Sequence, residues 1–278
     1  MTPVTAETVK AAEPAETDGS TGATGAAATG ALSSDPGGPE SVPWSEQELE
    51  TRLRELATAR YHDRHPFNRR MHEGALSPAE LRTWVANRFY YQCNIPLKDA
   101  HILAKLHQPA QRRAWLRRIQ DHDGRTDREG GIERWLRLGE AVGLDRGELL
   151  AHRRLLPGVR LAVDGYVNFC RNGSALEAVA SSLTELCAPS IMLTRLETFP
   201  VHYPWIDPDG LSYFRARVPE GRRDGGEALA WVRAWAVTRD QQDRALAALS
   251  FKCDVLWSLL DSVELAGARE PARRETHR

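Results

Sequence analysis

Apolar residues recur at helical spacing through most of this chain. The clearest case is the segment after Ser77, in which Leu81, Trp84 and Val85 fall three or four residues apart and so share one helix face. Ser77 and Glu80 have the spacing of a capping box, in which the serine side chain and the glutamate side chain each satisfy a free backbone N–H group. The pattern therefore predicts a helix that begins at residue 78.

The same signals recur along the chain, with further capping pairs beginning at Asp145, Ser174, Asp224 and Thr238. Together with the apolar periodicity they predict helices at about 45–60, 78–93, 97–107, 110–122, 131–142, 145–152, 158–171, 175–198, 208–218, 225–237 and 239–266. The segment 175–198 is apolar nearly all round, which is typical of a central helix. No segment shows the clean alternation of a strand, so we predict an all-α fold with a single helical bundle domain.

The two ends of the chain differ from this helical body. Residues 1–42 are mostly small or polar, contain no aromatic residue and, over residues 1–40, hold six acidic residues against Lys10 alone. Such a segment buries too little apolar surface to offset its ordering entropy, which predicts a disordered acidic tail. The predicted division is therefore a tail at 1–42, a helical domain at 43–268 and a frayed, charged C-terminus at 269–278.

Cationic side chains interrupt the apolar helix faces. Arg88 lies one turn beyond Trp84, and Lys252 lies between Leu249 and Leu256 on the last predicted helix. His122 likewise falls at the inward end of its predicted helix. A buried cation is costly unless an anion meets it, so each such residue needs a partner.

Five cations are predicted to face inward: Arg88, Lys98, Arg195, Arg217 and Lys252. One explanation is a set of structural ion pairs, for which Glu185 and Asp99 are the best acids. The other is one cavity whose ligand, a polycarboxylate or a phosphate, supplies the negative charge. The small number of inward acids favours the cavity. The accompanying hydrogen-bonding side chains are His62, Tyr91, Gln92, Tyr166 and Tyr213.

The motifs that the chain lacks narrow its chemistry further. It contains no H-E-x-x-H, no E-x-x-H and no phosphate-binding glycine loop, which predicts an activity without a metal ion or nucleotide. The four cysteines form no C-x-x-C pair, and neither a signal peptide nor a membrane-spanning apolar run is visible. The body carries a charge near +4, too little to indicate a nucleic-acid surface. We therefore expect a cytoplasmic protein whose partners are neither nucleic acids nor membranes.

Several longer motifs resemble those of the pyrroloquinoline-quinone synthase family. They are YHxxHP at 61–66, TWVANRFYYQ at 83–92, IPLKDA at 95–100, DHDG at 121–124, GGIE at 130–133, WLRLGEAVGL at 135–144, LPGVR at 156–160, SSLTEL at 181–186 and HYPWI at 202–206. The resemblance implies a helical fold like that of haem oxygenase and thiaminase-type proteins, usually as a homodimer. It also implies an oxidase without an organic cofactor. Such an enzyme closes a ring and uses O2 to oxidise a polycarboxylate ortho-quinone precursor to pyrroloquinoline quinone (PQQ), releasing H2O2.

The resemblance also assigns roles to particular residues. Matching positions place the following side chains around the substrate: His62, Arg88, Tyr91, Gln92, Lys98, Tyr166, Thr184, Glu185, Arg195 and Lys252. His122 matches the family's general base. Tyr213 and Arg217 match two members of the trio that handles oxygen and peroxide.

Three departures from the family pattern bear on the oxidation. Met192 stands where the third member of the oxygen-handling trio is a histidine, Arg64 replaces another histidine, and residues 225–227 replace an acidic-histidine pair. Methionine cannot donate a hydrogen bond or carry a proton. An alternative is therefore a divergent member that only binds or partly oxidises the precursor. A third interpretation, a thiaminase-type hydrolase, would require Cys187 to be a reactive thiolate.

Overall fold

The computed structural model of this chain describes residues 42–269, and these residues form helices joined by short turns. The α-helices are, in order, α1 Glu46–Arg60, α2 Pro66–His72, α3 Pro78–Leu103, α4 Pro109–Asp123, α5 Gly131–Ala141, α6 Arg146–Leu150, α7 Pro157–Asn172, α8 Ala175–Ser181, α9 Ala188–His202, α10 Ser212–Trp235 and α11 Arg239–Arg269. Three 3₁₀ turns cover His62–Arg64, Ser182–Leu186 and Pro208–Leu211. No strand occurs within 42–269, as the sequence predicted. The predicted tail and most of the predicted C-terminal segment lie outside the described residues.

Helix α3 is the centre of the bundle and packs against α4, α5, α7 and α11. Its start is confirmed, since Ser77 and Glu80 make both bonds of the capping box. The prediction of a break before residue 97 is wrong, because Pro96 lies inside the helix. A proline removes one backbone bond, and here the buried neighbours Ile95, Lys98 and Asp99 hold the helix together across that gap. One continuous helix therefore carries residues of the cavities described below over about three turns.

The segment predicted as one helix at 175–198 is interrupted. Helix α8 ends at Ser181, a 3₁₀ turn follows, and α9 begins with Pro189 in its first turn. A proline fits the first turn of a helix without loss of a backbone bond, so Pro189 favours a new helix start at this point. The tighter turn brings Thr184 and Glu185 to the wall of a cavity.

Helix α10 corrects two further predictions. It runs unbroken through 212–235, so the separate helices predicted at 208–218 and 225–237 are wrong, and Asp224 is not a cap. Gly225 is a packing residue rather than a helix start. A β-carbon at that position would lie 3.0 Å from the Leu186 backbone nitrogen, so only glycine lets α10 approach the 3₁₀ turn this closely. Helix α2 is too short for a periodic signal and was not predicted.

One stretch of the described residues, Ala175–His202, has the length and mean hydropathy (1.2) of a membrane span. It comprises α8, the 3₁₀ turn and α9, and 56% of its apolar window is buried inside the fold. Core helices of globular proteins meet the same criterion, so this is weak support for a membrane span.

Candidate active site

Two small adjoining cavities lie inside the bundle, between α3, α10, α11 and the 3₁₀ turn Ser182–Leu186. They share five lining residues: Tyr91, Ile95, Thr184, Glu185 and Arg217. The first cavity extends towards α4 and α7, where Lys98, His122, Tyr166 and Lys252 line it. The second extends towards α9, where Arg88, Met192 and Tyr213 line it. Ten of the thirteen residues predicted for the site therefore line these cavities.

The remaining three predicted residues, His62, Gln92 and Arg195, are buried beside the cavities rather than in their walls. Gln92 Oε1 accepts a hydrogen bond of 2.9 Å from the Tyr213 hydroxyl, which links it to the second cavity. Its Nε2 has no hydrogen-bond partner among the described residues. Arg195 lies with its guanidinium 4.9 Å from the centre of the Trp84 ring. All thirteen predicted residues thus belong to one region of the molecule.

His122 is placed as an acceptor. It lies near the end of α4, only 3% exposed, and its Nδ1 is 3.1 Å from the Arg118 carbonyl oxygen. A carbonyl can only accept, so Nδ1 carries the proton and Nε2 presents a lone pair. Nε2 has no partner among the described residues. Burial, and then the positive charge of Arg217, lowers the pKa of His122 from 6.5 to about 3, so the ring is neutral near pH 7.

Lys252 is a fully buried cation. Its ammonium nitrogen is 2.7 Å from the Tyr91 hydroxyl oxygen and 3.6 Å from the centre of the Tyr166 ring. No carboxylate of the described residues lies within 4.0 Å of it. Burial, followed by repulsion from Arg88 and Lys98, holds the pKa of Lys252 well below its usual value. The predicted stripe of Lys252 among leucines on α11 is confirmed, since Leu249 and Leu256 are also buried.

The interior is more balanced in charge than the sequence indicated. Lys98 pairs with Asp99 at 2.7 Å, and Arg217 pairs with Glu185 at 2.6 Å. Arg217 also lies 3.2 Å from Glu220, an acid that the sequence analysis did not consider. Asp99 and Glu185, the two acids that the sequence favoured as partners, therefore pair with Lys98 and Arg217. The other three predicted cations, Arg88, Arg195 and Lys252, form no ion pair within the described part of the chain.

Two charged residues of the first cavity, Arg118 and Asp224, were not predicted. Arg118 is buried on α4, and its Nε lies 3.7 Å from Oδ1 of Asp224. The other carboxylate oxygen of Asp224, Oδ2, lies 3.6 Å from Arg217. Despite burial, Arg118 and Arg217 hold the pKa of Asp224 below its usual value. The signal was present in the spacing of Arg217, Glu220 and Asp224, three and seven residues apart on one helix face. The apparent capping pair that begins at Asp224 obscures this pattern in the sequence.

The space in these cavities is small. The first cavity has a volume of about 10 Å³, which is room for roughly one water molecule. The second has a volume of about 30 Å³, which is room for a few water molecules. Pockets that hold small organic ligands are far larger, at roughly 300–1,000 Å³. A ligand of several rings therefore requires the walls to move. The boundary that the cavities share contains the Arg217–Glu185 ion pair.

Comparison with known proteins agrees with this fold. The profile of the TENA/THI-4/PQQC family matches residues 50–262. The chain belongs to this family. Among its relatives, pyrroloquinoline-quinone synthase of Acinetobacter baylyi is 50% identical over 233 residues, which cover 84% of this chain and 91% of that protein. The synthase of Ectopseudomonas mendocina is 54% identical over 208 residues, which cover 75% and 83%.

Solved structures share the fold at low sequence identity. A domain with a haem oxygenase-like fold from Shewanella denitrificans has a TM-score of 0.68 at 13% identity and covers 84% of this chain and 97% of its own. A TenA homologue from Pseudomonas syringae pv. tomato has a TM-score of 0.66 at 15% identity and covers 79% and 92%. The predicted all-α, haem oxygenase-like fold and the family resemblance are confirmed.

The lowered pKa of His122 predicts that acid destabilises this family member. Between pH 6.5 and about pH 3 the unfolded chain protonates this ring and the folded chain does not, so the free energy of unfolding falls as the pH falls. The slope is about 1.4 kcal/mol per pH unit, or about 2 kcal/mol between pH 6.5 and about pH 5. Urea unfolding at both pH values should show His122→Gln losing this part of the slope, whereas the exposed control His107→Gln keeps it. Equal slopes in wild type and His122→Gln would contradict the assignment.

Proposed function

We propose that this protein is a pyrroloquinoline-quinone synthase and catalyses the last step of PQQ biosynthesis. The observation that carries the proposal is the convergence of Arg88, Lys98, Arg217 and Lys252 on two adjoining cavities in a chain about half identical to proteins of that name. A precursor with several carboxylates supplies the negative charge that Arg88 and Lys252 lack. The same carboxylates compete with Glu185 for Arg217.

The proposed chemistry divides between the two ends of the site. At the first cavity, His122 Nε2 accepts a proton from the substrate while a new ring of the substrate closes and the substrate is oxidised. A bound polyanion favours the charged form of an imidazole, so substrate raises the pKa of His122 from about 3 and makes it a stronger base. At the second cavity, the Tyr213 hydroxyl and the Arg217 guanidinium stabilise negative charge on reduced oxygen.

The proposed electron acceptor is O2, with no metal ion and no organic cofactor. Each two-electron oxidation of the substrate reduces one O2 to H2O2, and the two protons required come from the substrate by way of His122 and the surrounding hydroxyl groups. We also propose a cytoplasmic homodimer whose only other partner is the small-molecule quinone substrate, with no role for nucleic acids or membranes.

One structural observation favours the alternative, a member that binds the precursor or oxidises it only partly. Met192 lies in the same cavity wall as Tyr213 and Arg217, and it brings neither a donor nor a proton to that corner. Arg88 lines the same cavity and supplies a guanidinium there. The third interpretation loses support, because burial raises the pKa of Cys187 to about 11 and so disfavours a reactive thiolate.

The test of the proposed function is a turnover experiment with purified protein, the PQQ precursor and air. A synthase forms the quinone spectrum over many turnovers, with oxygen consumed in fixed proportion to quinone formed. A protein that binds the precursor without consuming oxygen is a carrier, which would overturn the proposal. Oxygen consumption that stops before the quinone appears would identify a partial oxidase.

Replacing Lys252 with methionine is expected to raise the stability of the protein and to lower its affinity for PQQ. The substitution removes a buried charge without a carboxylate partner and keeps a side chain of similar length, so we expect the free energy of unfolding to rise by about 1–3 kcal/mol. PQQ affinity should fall about tenfold or more, because a charge-assisted contact is lost. Urea unfolding and a binding titration measure the two effects.

The matched control is Lys105→Met. Lys105 is a surface lysine whose ammonium group donates to the Arg171 carbonyl oxygen at 2.9 Å, and its replacement should change neither quantity appreciably. If Lys252→Met instead lowered stability and left affinity intact, Lys252 would be a structural residue rather than a ligand-binding one.

A further inference from the structure

Asn68 connects two residues of the site, His62 and Arg195. It was not among the predicted site residues, and it does not line either cavity. It lies on α2 and is 0% exposed. Its amide nitrogen is 2.8 Å from His62 Nδ1 and 2.7 Å from the His62 carbonyl oxygen. Its amide oxygen accepts a hydrogen bond of 3.2 Å from the guanidinium of Arg195. Both amide hydrogens and the amide oxygen are therefore used.

The orientation of this amide is determined by its three contacts. If the oxygen and nitrogen were exchanged, the Asn68 oxygen would face the His62 carbonyl oxygen, and the Asn68 nitrogen would face the Arg195 nitrogen. The two oxygens would then face each other with no hydrogen atom between them, and the two nitrogens would face each other as two donors. Only the observed orientation satisfies all three groups.

This orientation determines the tautomer of His62. An amide nitrogen can only donate, so His62 Nδ1 must accept, and the proton of the neutral ring is on Nε2. His122 has the opposite arrangement, with its proton on Nδ1 and its lone pair on Nε2. The two buried histidines of the site thus differ in what they offer at Nε2: His62 a donor and His122 an acceptor.

We propose that Asn68 is a positioning residue that keeps His62 in its Nε2–H tautomer and Arg195 in one orientation, so that together they donate to an anionic oxygen of the ligand. The identity of that ligand rests on the proposed function, whereas the tautomer does not. The surroundings fit this role. Burial, and then the charges of Arg88, Arg195, Lys252 and His65, holds the pKa of His62 well below its usual value, which favours the neutral ring.

The tautomer can be measured directly by NMR on the full chain carrying ¹⁵N-labelled histidine. The chemical shift of each ring nitrogen reports whether it carries a proton, and the His62 signals are assigned by their loss in His62→Gln. We expect wild-type His62 to show an unprotonated Nδ1 and a protonated Nε2 at neutral pH. A protonated Nδ1 would overturn the proposal, and this measurement needs no Asn68 variant to fold.

Asn68→Asp provides the second arm. A carboxylate can only accept, so Nδ1 must gain a proton, and the added negative charge competes with the ligand for Arg195. The matched control is Asn87→Asp: Asn87 is equally buried, but its side chain bonds only backbone groups of Thr83, Arg154 and Leu156. In Asn68→Asp the His62 nitrogen signals should exchange their protonation pattern, and in Asn87→Asp they should not.

Product binding completes the test. We expect PQQ to bind Asn68→Asp about tenfold or more weakly than wild type, whereas Asn87→Asp, if folded, keeps wild-type affinity. If wild type fails to bind PQQ while its His62 tautomer is as described, the proposed function is wrong and the positioning role of Asn68 stands. If wild type binds PQQ but Asn68→Asp binds it equally well, the positioning role is wrong and the proposed function stands.

Discussion

Replacing His122 with alanine is expected to lower turnover by a factor of about 10²–10⁴, the range typical for loss of a general base. The reason is geometric. His122 Nε2 is the unpartnered acceptor in the first cavity, and its ring is held by the bond from Nδ1 to the Arg118 carbonyl oxygen. The measurement is the first spectral change after mixing enzyme with excess precursor under single-turnover conditions.

PQQ binding separates this role from a structural one. The cations Arg88, Lys98 and Lys252 remain in the His122→Ala variant, so its affinity for the quinone should fall only modestly. The exposed control His107→Ala should match wild type in both rate and affinity. Unchanged single-turnover kinetics in His122→Ala would remove this residue from the mechanism.

Replacing Met192 with histidine is expected to accelerate the oxygen-dependent phase by up to about 10²–10³, the usual value of one well-placed donor to a developing anion. Met192 lies in the cavity wall with Tyr213 and Arg217, so an imidazole there would add a donor and a proton carrier where the reduced oxygen is proposed to form. Oxygen consumed per quinone formed, followed by an electrode together with the absorbance, measures the effect.

The control for this change is Met192→Leu, which keeps an apolar side chain of similar size. It should leave the oxygen-dependent rate within a few-fold of wild type, and neither variant should alter PQQ affinity appreciably. If histidine gave no acceleration over leucine, another group, with Arg88 the first to examine, would already fill the role of the missing donor.

The sequence predicted those parts of the fold whose signals are local. Ser77 and Glu80 marked a helix start, and the spacing of Lys252 among leucines placed that cation in the core, because caps and periodicity depend only on near neighbours. The positions at which one helix ends and the next begins were predicted less well. Pro96 lies within a helix, while Pro189 begins one, and the difference depends on packing against other elements.

The residues of the candidate site also differ in whether the sequence alone could identify them. Residues in long shared motifs, such as Arg88 and His122, could be assigned by resemblance. Asp224 carries a local signal in its spacing from Arg217, but its contact with Arg118 is distant in the chain. Asn68 could not be assigned, because its significance lies in a contact with Arg195, which is also distant in the chain. Their own sequence surroundings indicate a cap and a loop. Pairings of this kind are visible only once the helices are packed.

The small volume between the helices has a kinetic consequence. A ligand of several rings does not fit beside the Arg217–Glu185 ion pair, so on the proposed function we expect this wall to open before the ligand is admitted. At high ligand concentration the rate of association is then set by this opening and no longer rises with concentration. The same step must precede product release. On the proposed function, we expect slow opening to retain partly oxidised material, so that successive oxidations by O2 proceed on one bound molecule.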